Sequence, residues 1–485
     1  MISFRRRVPA LLAGFALAGV SAAAPAAPQQ RVPRVAFTWA VEAEDLGQVS
    51  LPAGWGGGWV PGPLGTSYRP VPSFGADPTF EVVVRAPQSG HPLYAERFLV
   101  QFPADFLLRP FQERALVIGC HSFGVSEKEI FLSTDLPYEC AQRGWMLLAP
   151  YGLNDSSFAN VQSQASLQAI VRILHQFVPF NYRRVYAVGF SMGGLTALSF
   201  AMRHLDPRGV RVAAAVVHTA TLDMVQEYEG AGPGLRALLA NSVHFGAGPE
   251  LDPFAYERVS PARFLASGLV DPERAPVTNL LHLPIVLHAN LADPEAQLVA
   301  DMAELKSYLL LRGAIVHESM VYDPAAGHSW STLDLTLALD TIAPASAAGA
   351  TPPAVELFAD RPGRWHHLEL RAQTPGAHAR LELELAPVAV ETVNSFALLA
   401  THDLDVLALE LQRLGLDVAQ PLAFLHAAAD GSADQLVLVG YASAPAAVLV
   451  DGVLAPFQLE HDPQTAELRV TPTADGHACR VDVTP

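Results

Sequence analysis

The stretch Arg184-Val185-Tyr186-Ala187-Val188-Gly189-Phe190-Ser191-Met192-Gly193-Gly194 decides the reading of this chain. Its first half is a short continuous apolar run, which fits a strand buried on both faces. Its second half is a G-x-S-x-G pentapeptide with one glycine more, and residues of helical period follow. A serine between such a strand and such a helix sits on a sharp, strained turn. Its neighbours must lack Cβ atoms that would clash with both elements. The start of the following helix adds positive potential and free N–H groups behind the serine.

The same rhythm extends outward. Continuous apolar runs recur at residues 114–120, 144–149, 212–218 and 283–288, with a more alternating one at 315–322. Helix-period segments lie between them, at 132–143, 163–177, 192–204, 293–312 and 329–342. Strands alternating with helices make βα units and a mostly parallel, doubly wound sheet, the α/β class. Residues 80–86 and 97–102 alternate like exposed antiparallel strands at a sheet edge. Residues 219–279, rich in Gly and Pro, interrupt the rhythm as an insertion or cap over the sheet's C-terminal edge, where ligands of open α/β sheets bind. The catalytic unit thus runs over 80–342, and the Ala/Pro-rich stretch 343–353 reads as a linker. Beyond it, in 354–485, alternation dominates (365–371, 379–385, 388–396, 435–441, 446–450, 467–471), as in an all-β, sandwich-like module. Residues 404–414 fit a helix or a strand. Residues 25–79 carry no assignable regular structure, Trp55 and Trp59 included.

A serine hydroxyl is a weak nucleophile until a base takes its proton and an acid holds that base in one tautomer. In the chain order Ser, acid, His, the candidates are Asp293, in Asn290-Leu291-Ala292-Asp293-Pro294, and His328, in Ala326-Gly327-His328-Ser329-Trp330. Each lies just past a strand, at the same sheet edge as Ser191. His317 lies within a strand, His282 and His288 flank one, Asp301 lies a turn or two into a helix, and Asp323 is too near His328 in sequence. The Met192 N–H is the first expected oxyanion donor. The second is expected from His121-Ser122-Phe123-Gly124, through the Phe123 or the Ser122 amide. Trp330 either lines the acyl pocket or packs the last helix. Tyr151, Asn154 and Asp155 follow a strand on the active edge and either touch substrate or form a plain polar loop.

The ends and the composition narrow the function class. Arg5, Arg6 and Arg7 precede an apolar stretch over 8–20 and the small residues Ser21-Ala22-Ala23-Ala24, the layout of a secretory signal peptide over residues 1–24. A periplasmic or secreted protein is therefore expected, with no integral membrane segment in the mature chain. Of 485 residues, 50% are hydrophobic, enough for buried cores, and the net charge of -17 disfavours nucleic acid as partner. Three cysteines, Cys120, Cys140 and Cys479, leave open a Cys120–Cys140 disulfide or free thiols. No Cys/His cluster has zinc spacing, and no metal is expected.

Residues 80–342 resemble the α/β-hydrolase superfamily. They are similar within it to secreted serine hydrolases of the prolyl-oligopeptidase-like and polyhydroxyalkanoate-depolymerase or feruloyl-esterase-like kinds. The segments that carry this are His121–Gly124, Gly144-Trp145, Ala149-Pro150-Tyr151-Gly152, Gly189–Gly194, Asp293 and Gly327-His328-Ser329-Trp330. The stretch Val390-Glu391-Thr392-Val393-Asn394-Ser395-Phe396, with Val450-Asp451-Gly452, resembles the small β module appended to some bacterial peptidase-like hydrolases. The resemblance implies hydrolysis through an acyl-enzyme without a cofactor, on a small-molecule ester, polymer or peptide. Three readings stand open: an exported carboxylesterase, an exported peptidase, and a hydrolase-fold protein without catalysis that binds a polymer or glycan.

Overall fold

The computed structural model describes residues 60–61, 66–72, 77–85, 95–103, 105–387, 394–428, 435–454, 459–471 and 479–485. The signal segment 1–24, the tryptophans at 55 and 59, and most of the strand expected over 388–396 lie outside them. Ten strands make one sheet, in the order β1-β2-β3-β4-β6-β5-β7-β8-β9-β10. They are β1 Val60–Pro61, β2 Thr66–Val71, β3 Thr79–Arg85, β4 Ala95–Gln101, β5 Leu116–Cys120, β6 Met146–Pro150, β7 Val185–Phe190, β8 Val212–His218, β9 Ile285–Asn290 and β10 Val316–Val321. The first four are antiparallel, β4 joins β6 antiparallel, and β6 to β10 run parallel.

The all-buried strands β5 to β9 are the continuous apolar runs of the sequence. Helices on both faces cover them, which removes any need for a polar side. Two elements differ from the sequence reading. β2 pairs with β3 along its length, from Thr66 opposite Val84 to Val71 opposite Thr79, in a region where residue pattern gave no structure. Beyond β3 it meets only the two-residue β1, so it needs little more than one partner's ladder and its sequence is left almost unconstrained. The expected helix over 132–143 is two helices, Lys128–Leu132 and Leu136–Arg143, broken at Thr134, whose hydroxyl donates to Ile130 O and accepts from Leu136 N.

The insertion between β8 and β9 carries three short helices, Met224–Gly230, Pro233–Leu239 and Pro253–Glu257. Their residues Met224, Val225, Leu239 and Tyr256 form one buried cluster with Met192, Leu195 and Phe158. The insertion thus packs directly on the turn that follows β7.

Residues 343–353 lie along the hydrolase surface. The Tyr186 hydroxyl sits 3.2 Å from Ala343 O and 3.0 Å from Ala345 O. Ala347 N donates to Arg183 O at 2.8 Å, while Arg183 Nε returns the bond to Ala347 O at 2.8 Å. The C-terminal module is two sheets, of seven and six strands, around one core that includes the stacked Phe396 and Phe424 rings. Residues 404–414 resolve as a strand, Leu404–Glu410, and a 3₁₀ turn, Leu411–Leu414. The first strand of the module, Ala354–Ala359, docks on the hydrolase part through Asn279. Its side-chain oxygen accepts from Phe358 N at 2.8 Å, and its amide group donates to Phe358 O at 3.0 Å and Met202 O at 3.1 Å.

Cys120, Cys140 and Cys479 are free and buried. Burial pushes the Cys120 thiol up to about 12, so it stays protonated. Among the described residues, no helix is long and apolar enough to cross a membrane.

Candidate active site

Ser191 ends β7 with φ 55° and ψ -124°, a backbone conformation that a residue with a Cβ adopts only under constraint. The constraint comes from close packing on three sides. A Cβ on Gly189 would lie 2.0 Å from Gly193 O, one on Gly193 would lie 2.1 Å from Cys120 O, and one on Gly194 would lie 2.5 Å from Ala220 Cβ. The turn is tied to β8 as well, since Ser191 N donates to His218 O at 3.0 Å. Helix Met192–Arg203 then leads away from the serine.

The acid and the base arrive from the next two loops. Asp293, 5% exposed, follows β9 and places both carboxylate oxygens on His328 Nδ1, at 3.0 and 2.9 Å. A carboxylate only accepts here, so Nδ1 carries the proton and Nε2 is left with its lone pair. The His328 ring packs on Phe190, the chain neighbour of Ser191, with centroids 4.4 Å apart. About a quarter of the His328 side chain is open to solvent, so the pair is reachable.

The two oxyanion candidates separate. Ser122 N donates to Glu129 Oε2 at 2.7 Å, and the Ser122 hydroxyl donates to Glu129 Oε1 at 2.6 Å. That amide is spent on Glu129. The Phe123 and Met192 amides have no acceptor among the described residues, and Met192 heads a helix whose first N–H groups lack intrahelical partners. A Cβ on Gly193 would lie 2.1 Å from Cys120 O and 2.7 Å from His121 O, so the Ser191 turn sits against the loop that carries Phe123. Glu129 has no motif around it. Its only sequence signal is an acidic residue one helical turn past a polar loop.

The other named residues take positions around this centre. Trp330 is 5% exposed in an apolar cluster with Leu333, Leu335 and Leu339, and its ring lies 5.5 Å from Phe190; it packs the end of the chain's last hydrolase helix. Tyr151 lies under the Arg97 guanidinium, 3.9 Å from the ring centre, and its carbonyl faces His121 Nε2 at 3.0 Å. Asn154 caps Ser156 N, and Asp155 O accepts from Gly124 N at 2.8 Å, which ties this loop to the oxyanion loop. His317 is exposed on β10, His282 stacks edge-on with His366, and Asp301 accepts from Gln297.

Three supporting residues escape sequence reasoning. Asn290 clamps the loops that lead to Asp293 and His328 together, donating to Asp323 O at 2.8 Å and accepting from Asp323 N at 2.9 Å. His218 donates through Nε2 to Ser329 O at 2.8 Å, one residue beyond His328, and its Nδ1 accepts from the Thr219 hydroxyl at 3.2 Å. His288 bridges Ser319 Oγ and Thr332 Oγ1. Burial lowers the His218 imidazole to about 4 and the His288 imidazole to about 3, so both are neutral props near neutral pH.

No family model matches the chain, and no curated protein is similar to it. Among solved structures it is similar to a fluorophosphonate-binding serine hydrolase of Staphylococcus aureus (15% identity over 56% of this chain and 99% of that one, TM-score 0.40). An S-formylglutathione hydrolase from Agrobacterium tumefaciens is 13% identical over 56% of this chain and 97% of that one, with TM-score 0.41. The acylaminoacyl peptidase of Pyrococcus horikoshii is 12% identical over 55% of this chain and 38% of that one, with TM-score 0.36. The strand order, the single crossover of β5 and β6, and a strained serine between β7 and its helix give the chain the α/β-hydrolase fold.

Proposed function

We propose that the protein is an exported serine hydrolase of carboxylic esters, working through an acyl-enzyme. The observation that carries this is the Asp293 carboxylate set astride His328 Nδ1, with the His328 ring packed on Phe190, the chain neighbour of the strained Ser191. Ser191 Oγ attacks the ester carbonyl while His328 Nε2 takes the hydroxyl proton, and Asp293 holds the resulting imidazolium. The Met192 and Phe123 amides receive the oxyanion. His328 returns the proton to the leaving alkoxide, and the alcohol departs. A water then attacks the acyl-enzyme, giving its proton to His328, and the acid leaves with Ser191 restored. The half-exposed Phe123 ring, tilted against the buried Phe158 at 5.3 Å, gives the entrance an apolar wall suited to an acyl or aryl group. Export rests on the basic and apolar N-terminal segment.

The test is labelling of the purified protein with a fluorophosphonate probe, beside Ser191→Ala, and assay of both on p-nitrophenyl esters and peptide anilides. Labelling and ester turnover are expected in the parent and absent in the variant. Turnover confined to the anilides would replace the esterase by a peptidase. No labelling in a folded sample would overturn the enzymatic reading.

A further inference from the structure

Away from Ser191, a second cleft opens where three parts of the molecule meet. One wall is a face of helix Val161–Phe177, with Gln164 and Gln168 one turn apart. The others are Arg203 and His204 at the end of the helix that follows Ser191, Arg258 from the insertion, and Arg361 from the β module.

Its electrostatics are out of balance. A single carboxylate, Asp360, serves three guanidinium groups: Arg203 Nη2 at 2.9 Å, Arg258 Nη2 at 2.8 Å, and Arg361 Nη1 at 3.5 Å. Three positive charges against one leave two in excess, in a chain whose net charge is -17. Arg172 adds further positive potential at Arg361 and His204. Buried guanidinium groups without counter-charge are costly, and their polar atoms ordinarily find partners. Here Arg203 Nε and Nη1 have none, although the Arg203 side chain is only 5% exposed. Burial lowers the Arg203 guanidinium to about 9, a sign of the same missing anion.

The unpartnered atoms are not all donors. His204 Nδ1 faces Phe200 O at 2.7 Å, which forces the proton onto Nδ1 and leaves Nε2 an acceptor with no donor. Gln164 Oε1 is an acceptor in the same condition, its amide group being turned to Thr196 O. A simple anion would satisfy the arginine and repel both acceptors. An oxyanion that keeps an O–H satisfies both sets, because its bare oxygens accept from Arg203 while its hydroxyl donates to His204 Nε2 or Gln164 Oε1.

We infer that this cleft is a binding site for a phosphate-type oxyanion carrying an O–H, joining the hydrolase helices, the insertion and the β module. Free hydrogenphosphate offers this chemistry, and a phosphomonoester offers it in its singly protonated form. Fully deprotonated sulfate lacks the hydroxyl.

The experiment is thermal unfolding of the full chain at neutral pH and fixed ionic strength, titrated with inorganic phosphate, sulfate or glycerol phosphate. Phosphate is expected to raise the midpoint saturably, by about 3 °C at a hundredfold excess over Kd, and sulfate at most a third as much. Arg361→Gln should abolish the phosphate response. Gln164→Glu places a carboxylate in the cleft and should raise the midpoint without phosphate while removing the response to it. A response to glycerol phosphate equal to that of phosphate assigns the site to ester-linked groups, and a response to phosphate alone assigns it to the free ion. Equal shifts from sulfate and phosphate, no shift from either, or a response that persists in both variants would overturn the inference.

Discussion

The role proposed for Asp293 is specific. Its two oxygens fix the tautomer of His328, so Asp293→Asn turns an acceptor pair into a donor and an acceptor and favours the wrong ring proton. We expect kcat to fall about 10³–10⁴-fold with KM little changed, measured in steady state on a p-nitrophenyl ester. Glu129 acts through the loop it holds. Glu129→Gln presents one N–H₂ to a group that must donate, which loosens Ser122 and with it the Phe123 amide. The expected result is a roughly tenfold lower kcat, because a displaced oxyanion donor weakens the transition state more than the bound ester. An unchanged kcat would show that Phe123 is positioned without Glu129. As candidates, Ser191, Asp293 and His328 were legible in sequence, since each follows a recognisable strand, and the structure places Asp293 on His328. Glu129, Asn290 and His218 were not. Each acts by meeting a residue brought near only by the fold: Asn290 reaches Asp323, 33 positions away, and His218 reaches Ser329, 111 positions away.

At the scale of elements, the turn around Ser191 is the place where three glycines do different jobs. Cβ atoms on Gly189 and Gly193 would strike backbone carbonyls at 2.0 and 2.1 Å, which cannot yield without moving a strand. The Cβ on Gly194 would meet the buried Ala220 methyl at 2.5 Å, a smaller overlap and with a side chain instead of backbone. Gly193→Ala is therefore expected to lose about 3 kcal/mol or more and to fold poorly, and Gly194→Ala to lose about 1–2 kcal/mol. Urea unfolding of the two variants would rank them, and the reverse order would refute the assignment. The buried central strands were readable because both faces must be apolar. The edge strands β1 and β2, and the late strand Leu422–Ala428, were not, because their order comes from the partner's hydrogen bonds more than from their own residues.

For the whole molecule, buried titratable groups set the response to pH. His218 and His288 have folded values of about 4 and 3, below the ordinary 6.5, so the unfolded chain takes up their protons first as pH falls. Their stabilising contribution is full above 6.5 and is lost as pH drops through 4, by up to about 1.4 kcal/mol per pH unit for each. Glu96, raised to about 7 by burial despite donors from Gly152, Leu153 and Ser166, works the other way and weakens the fold as pH rises from 4.5 through 7. His282 and His378, each lowered to about 4 by burial, act with this pair, and Asp301, raised to about 6, acts with Glu96. With at least four such histidines against two carboxyls, the unfolding midpoint should fall on acidification from pH 6.5 to 4.5, and a flat profile there would contradict the burial of these histidines. The seam with the β module has a different kind of consequence. Asp360 supplies the counter-charge for Arg203, Phe358 satisfies both ends of Asn279, and Ala343 and Ala345 cover the Tyr186 hydroxyl. The tail is thus built into the catalytic half as a keystone is built into an arch. Anyone grafting this hydrolase onto another carrier, or tracing its descent by module exchange, must move Asp360, Asn279 and the 343–353 strap together, since none of them makes structural sense on one side alone.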